Sequence, residues 1–233
     1  IGATYIHADQ HDLVFKPNSN DLYAANDGGI FYTSNNGSTW TDLTSTLQIT
    51  QSYRLGISQN TSGFLQAGNQ DNGTILRDAV GAFAQVNGGD GMETIIDHST
   101  DAIRYAAIQN GEISRSINGS AYTTILANGV NGVNQTGGWE TPYVMDPYQS
   151  NVLFVGLNGI WKTVNVNATN PSSINWQKVD VSGYPGSGKT DQLEIAPWNL
   201  DMLAATKGMT PYISSDGGET WTSIKSNLPN INN

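Results

Sequence analysis

Short apolar segments alternate with turn-forming Gly, Asn, Asp, Ser and Pro along the whole chain, and no segment keeps a helical period over about eleven residues. One phrase recurs: an apolar strand, a turn with Pro, Asn, Asp or Ser, a second strand of Tyr, Ala, Val and Leu, a Gly/Asn turn, and a third strand. Copies run over 12–32 (DLVFKPNSNDLYAANDGGIFY), 53–76, 93–114, 141–162 and 192–213. Their first turns fall near Pro17, Gln59, His98, Pro147 and Pro197. Proline suits that place because its φ is preset for a turn and it has no N–H to give a central ladder.

A fourth strand closes each unit. It is announced by TSNNGSTW at 33–40 and by SSDGGETW at 214–221, and both strings fit S/T-x-D/N-x-G-x-T-W. In such a turn the Ser/Thr and Asp/Asn side chains bond back to backbone N–H groups, and Gly takes the positive-φ position. Thr33, Asn35 and Gly37, and Ser214, Asp216 and Gly218, are assigned these structural roles. Trp40 and Trp221 are expected to pack between neighbouring sheets. The third unit keeps a shortened version at 116–122 (SINGSAY), and the fourth carries an insertion ending at Trp176 in its place.

Four short antiparallel strands repeated about every 40–50 residues predict an all-β fold, a β-propeller of four-stranded blades. A sandwich would need alternating strands but no repeat. Five units, near 11–50, 51–89, 90–138, 139–190 and 191–233, make 1–233 a single propeller. It is read as part of a larger propeller or multidomain protein in preference to a closed five-bladed ring, and closure matters because a ring short of blades leaves edge strands unpaired.

Composition narrows the function. Ten Lys and Arg stand against 20 Asp and Glu, a net charge of −10, which argues against a nucleic-acid binder. Only 13% of residues are charged, while Gly numbers 26 and Asn 25, so the polar surface is built of amides and hydroxyls. Cysteine is absent, which excludes disulfides and thiolate metal sites. No apolar run of about 18 residues marks a membrane-inserting helix. The Lys-poor, Asn/Thr/Ser/Gly-rich surface points to a secreted or cell-surface location.

The two box-like turns resemble the Asp-box (BNR) repeats of sialidases, sortilins and xyloglucanase-type glycoside hydrolases. HADQHD at 7–12, NDGG at 26–29, QDNG at 70–73 and GGDGM at 88–92 occur in an order similar to the sortilin-like Asp-box propellers of bacterial, especially Bacteroidetes, secreted proteins. The resemblance covers nearly the whole chain. It implies the propeller fold and an extracellular setting, and leaves the activity open.

Candidate chemistry comes from three places. If HADQHD is extended, His7, Asp9 and His11 point to one side and offer two imidazoles and a carboxylate to a divalent metal ion; the alternative is hydrogen bonding within the inner strands. The residues leading into the first strand of each blade are expected to converge on one face: His11, Tyr53, Arg54, Asp90, Trp139, Glu140 and Asp191 as ligand contacts. Asp90, Glu93, Glu140 and Asp191 are candidates for the two carboxylates of a glycoside hydrolase, against a purely turn-forming role for Asp27, Asp71 and Asp90. Trp139 follows the Gly-rich stretch 128–138 and is a candidate stacking platform.

Other signals are weaker. The string at 183–190 (GYPGSGKT) fits a phosphate-binding loop, but DQLEIAP follows it where a helix is required, so no nucleotide is expected. Arg54, Arg77, Arg104 and Arg115 do not fall at equivalent blade positions, as a sialidase would need. His98 takes the place of Pro147 and is read as an exposed turn residue. The resulting expectation is a non-catalytic module binding a glycan or protein partner. The alternatives are a xyloglucanase-type hydrolase using paired Asp/Glu and a structural component.

Overall fold

The computed structural model describes residues 5–47 and 49–227. Among them, 20 strands form five four-stranded sheets, each an antiparallel meander of consecutive strands. The sheets are β1–β4 (Gln10–Phe15, Leu22–Asn26, Gly29–Thr33, Thr41–Asp42) and β5–β8 (Ser52–Ile57, Leu65–Asn69, Gly73–Arg77, Phe83–Asn87). Then come β9–β12 (Thr94–Ile96, Ile103–Ile108, Glu112–Ile117, Thr123–Leu126) and β13–β16 (Tyr143–Met145, Leu153–Gly156, Ile160–Thr163, Gln177–Lys178). The last is β17–β20 (Gln192–Ala196, Asn199–Lys207, Thr210–Ser214, Thr222–Ser223). Each repeat thus makes one blade of a β-propeller-like fold. The chain divides into two compact units, 1–51 and 52–233.

The first unit is the single sheet β1–β4. All six residues of β1 are exposed. The turn at 33–40 forms the expected net. Thr33 Oγ1 donates to Asn35 Oδ1 at 2.9 Å and accepts from Gly37 N at 3.1 Å; Asn35 Oδ1 also accepts from Thr39 N at 2.9 Å. Gly37 holds φ +82°, as the turn requires. Trp40 departs from expectation: it is only half-buried. A lone four-stranded sheet gives the indole no second layer inside its own unit.

The second unit carries the core. Strands β10 and β14 are almost wholly buried, because sheets flank them on both faces. One cluster joins Tyr105, Ile113 and Leu126 to Tyr143, Val155 and Trp176. The next joins Phe154 and Ile160 to Leu193, Leu203, Tyr184 and Trp221. The turn at 214–221 repeats the first net. Ser214 Oγ donates to Asp216 Oδ1 at 2.7 Å and accepts from Gly218 N at 3.0 Å, while Thr220 N donates to Asp216 Oδ1 at 2.9 Å. Gly218 is at φ +94°. Here the tryptophan is core: Trp221 is 4% exposed, and its ring centroid lies 5.0 Å from that of Tyr184.

The fourth unit keeps part of the net, without the glycine N–H bond to the opening hydroxyl. Thr163 Oγ1 donates to Asn165 Oδ1 at 3.0 Å, and Asn165 Oδ1 accepts from Asn175 N, ten residues on instead of four, at 3.0 Å. The insertion is therefore a loop spliced into the box, and Trp176 still follows the closing residue and is buried. A fixed string hides this, because the bond depends on the ends and not on the count between them.

The turns after the first strands are clasped to one another. Ser58 Oγ donates to Asp101 Oδ1 at 2.5 Å, and Asn60 Nδ2 to the His98 carbonyl at 3.3 Å. His98 Nε2 donates to the Asp146 carbonyl at 3.0 Å, and Tyr148 Oη to the Pro197 carbonyl at 2.9 Å. His98 is accordingly half-buried instead of exposed, since the neighbouring turn closes on it.

Candidate functional site

A cleft of about 550 Å³ in the second unit runs along the first strands of its four sheets. Leu55, Ile57, Met145 and Ile195 line its walls, with the side chains of Glu93 and Glu194 among them. His98, Pro147 and Pro197 line the end formed by the clasped turns.

The other end carries the charged groups. In β5 the register shifts between Ser52 and Arg54, a bulge that leaves Tyr53 as the extra residue. Its phenol donates to Gln70 Oε1 at 2.8 Å and accepts from the Trp139 indole N–H at 3.1 Å. Arg54 Nε lies 3.3 Å from Glu93, and Arg54 Nη2 pairs with Glu140. Trp139 and Glu140 are presented by a tight turn. A Cβ on Gly137 would lie 1.9 Å from Thr141 Oγ1, so only glycine permits it, and Thr141 Oγ1 donates to the Gly138 carbonyl at 3.0 Å. The Trp139 ring is 50% exposed.

Burial pushes the Glu93 carboxyl up to about 7; the Arg54 charge and the Thr94 N–H oppose this without cancelling it. The Tyr143 hydroxyl, raised well above its ordinary value by burial, donates to the Glu93 carbonyl at 3.0 Å and fixes that backbone. The site can therefore hold a proton on Glu93 near neutrality beside the ion-paired Glu140, with an exposed aromatic face next to them.

Five of the expected residues thus come together: Tyr53, Arg54, Glu93, Trp139 and Glu140. Asp90 is engaged in joining sheets: its carboxylate accepts from Asp71 N at 2.9 Å and its own N–H donates to Gln109 at 3.1 Å. That bond puts the 70–73 turn at the same end as the lead into β9. Asp191 accepts from Gly208 N at 2.5 Å, within its own blade. His11 belongs to the first unit, where Nε2 contacts Asp27. Three residues were not singled out from sequence: Gln70, which lies within QDNG, Glu194, which alternation in β17 marks, and Tyr143.

The extended reading of HADQHD does not hold. Asp9 is left-handed at φ +55°, and a register shift between Gln10 and Asp12 makes His11 a bulge residue. Alternation fails at both places, so among the described residues the ligand atoms of His7, Asp9 and His11 do not converge. His7 instead contacts the Ala8 carbonyl through Nδ1. The 183–190 segment runs into β17, and Lys189 Nζ donates to the Thr136 carbonyl at 2.6 Å and hydroxyl at 2.7 Å. Among the described residues no helix is long and apolar enough to cross a membrane.

The β-propeller class stands on these sheets. Solved structures agree with it. An ancestral GH74 enzyme superposes with a TM-score of 0.59 at 19% identity, covering 98% of this chain and 32% of that one. The GH74 enzyme of Niastella koreensis gives 0.53 at 14% identity, covering 91% of this chain and 37% of its own. The chain spans about a third of the length of these neighbours. No family model and no curated protein matches the sequence.

Proposed function

We propose that this chain is the propeller part of a secreted or cell-surface protein that acts on a neutral, hydroxyl-rich polysaccharide, as a glycoside hydrolase of the xyloglucanase type. The observation that carries it is the gathering of Glu93, which lines the cleft, and Glu140 on one guanidinium, next to the exposed Trp139. Hydrolysis of a glycosidic bond asks for two carboxyl groups about 5–9.5 Å apart, one of them protonated. Bonding to a single guanidinium keeps the pair inside that upper limit. Glu93 is the proton donor to the leaving oxygen, Glu140 the ionised partner, and Trp139 with Tyr53 the surface on which a pyranose ring stacks. The surplus of acids disfavours an anionic substrate. The turns at 33–40, 163–176 and 214–221 are read as Asp-box turns, in keeping with an exported propeller.

A second reading, non-catalytic binding of a glycan, draws on Arg54 itself, whose charge partly neutralises both carboxylates. Reducing-end release from xyloglucan by the full-length protein separates the two. Hydrolysis is expected to fall above pH about 7 as Glu93 loses its proton, and Glu93→Gln to lower kcat by about 10²–10⁴. Retention of the polymer without hydrolysis, lost in Trp139→Ala, would establish the second reading. If neither occurs, both fail.

A further inference from the structure

We propose a second glycan-binding platform at the opposite end of the cleft, formed by Trp198 and Tyr148 and taking a neutral polysaccharide chain. It makes no use of Glu93, Glu140 or Trp139.

Trp198 sits at the tip of β17–β18, where Ala196 pairs with Asn199 and leaves a two-residue turn, Pro197-Trp198. Such a tip needs only turn-forming residues, yet its indole is 79% exposed. Tyr148, on the corresponding turn of the preceding blade, is 70% exposed. The Tyr148 ring is held by the fold, and Trp198 is placed by its two-residue turn. The Tyr148 hydroxyl donates to the Pro197 carbonyl at 2.9 Å, and its backbone N–H donates to Asp146 Oδ1 at 2.9 Å. Asp146 in turn accepts His98 at its carbonyl, so the pair is anchored in the line of clasped turns. Aromatic rings give contact area at small entropic cost, and for Tyr148 the ordering is already done by folding.

Chemistry selects the occupant. A groove of about 380 Å³ runs beside Trp198, walled by Pro197, Met202, Ala204 and Ile213. Among the described residues lining it, Glu194 is the one charged group and no Lys or Arg is present. An anionic ligand finds no counter-charge there. A flat, uncharged ring with apolar C–H faces and hydroxyl edges fits an aromatic face beside an apolar wall whose lining includes the Glu194 carboxylate as a hydrogen-bond acceptor. Because two aromatic faces are offered by consecutive blades, the fitting ligand is a chain of such rings and not a monosaccharide.

Affinity electrophoresis of the full chain in gels containing soluble xyloglucan tests this with four variants: Trp139→Ala, Trp198→Ala, the two combined, and Tyr148→Phe. Trp139→Ala should still be retarded, and adding Trp198→Ala should weaken that residual binding by about threefold to tenfold. Tyr148→Phe, which removes only the anchoring hydroxyl, should weaken it less. If Trp139→Ala alone abolishes retardation, the second platform is refuted while the charged end stands as the glycan site. If Trp139→Ala changes nothing and Trp198→Ala abolishes binding, the platform is upheld and the function proposed for the charged end fails. Unchanged retardation in the double variant, or loss of self-association in Trp198→Ala without any glycan effect, would refute the platform and make this face a protein contact.

Discussion

The turns at 33–40 and 214–221 share a hydrogen-bond net almost atom for atom, yet their tryptophans differ. Trp221 is buried against Tyr184, with its indole N–H donating to the Gly218 carbonyl at 2.8 Å. Trp40 remains half-exposed on a sheet whose first strand is exposed throughout. The net is therefore a local property, closed within eight residues by side chains that carry their own partners. Burial of the tryptophan is not; it needs a second sheet on the correct side. The insertion at 163–176 makes the same point, since Asn165 still closes onto Asn175 across a longer loop.

The largest effect that should follow from this contrast is on the two tryptophans. Trp221→Ala is expected to cost about 3–5 kcal/mol in urea unfolding, through lost burial and the cavity left behind. Trp40→Ala should cost less than half of that. Equal losses would break the contrast and show that the box itself, and not the packing, sets the role of the tryptophan.

Next in size are the hydroxyls that start the boxes. Both are buried. Ser214→Ala and Thr33→Ala each orphan a turn N–H, with an expected cost of about 1–3 kcal/mol. Similar values for the two, measured by the same unfolding, would sharpen the idea that the net is autonomous. A Ser214 effect far above the Thr33 effect would mean that packing of Trp221 is coupled to it.

The smallest effect concerns pH. Hydrogen bonds from the Thr220 hydroxyl and N–H, with that from Ser214, hold the Asp216 carboxyl down at about 2, against an ordinary 3.8. A depressed carboxylate contributes its stability above the unfolded value and loses it as the pH falls through the folded one. Asn35 cannot titrate. Between pH 4 and pH 2, Asp216→Asn should therefore flatten a shallow decline in melting temperature. An identical decline in wild type and variant would show that the carboxylate is not held in this way.

Glu93 titrates in the opposite sense. Its raised value means that the folded protein holds a proton the unfolded chain gives up, so its burial costs stability as the pH rises from about 4.5 to about 7. The same burial that costs stability keeps the acid protonated where the proposed chemistry needs it.

Much of this architecture was legible in the residues. Turn chemistry and repetition are local and additive, so the five sheets, their meander order and the box nets follow from strings such as TSNNGSTW and SSDGGETW. The rule that residues leading into first strands share one end brought Tyr53, Arg54, Trp139 and Glu140 onto the same shortlist. What the chain could not reveal depends on register. A bulge at His11 and a left-handed Asp9 undo the metal set that strict alternation predicted, and neither leaves a mark in composition. A bulge at Tyr53 instead accompanies the meeting of its phenol with the Trp139 indole.

Electrostatics and exposure were likewise settled only by packing. That Arg54 would take both Glu93 and Glu140, while Asp90 clasps Asp71 and Asp191 turns to Gly208, depends on side-chain reach across blades separated by dozens of residues. Whether a tryptophan is core, as Trp221, or an open face, as Trp198, depends on which surface a neighbouring sheet covers. Local hydrogen bonds close over a few residues, so sequence alone determines them. Desolvation and ion pairing are properties of everything within a few ångströms, and only the tertiary structure decides what that is.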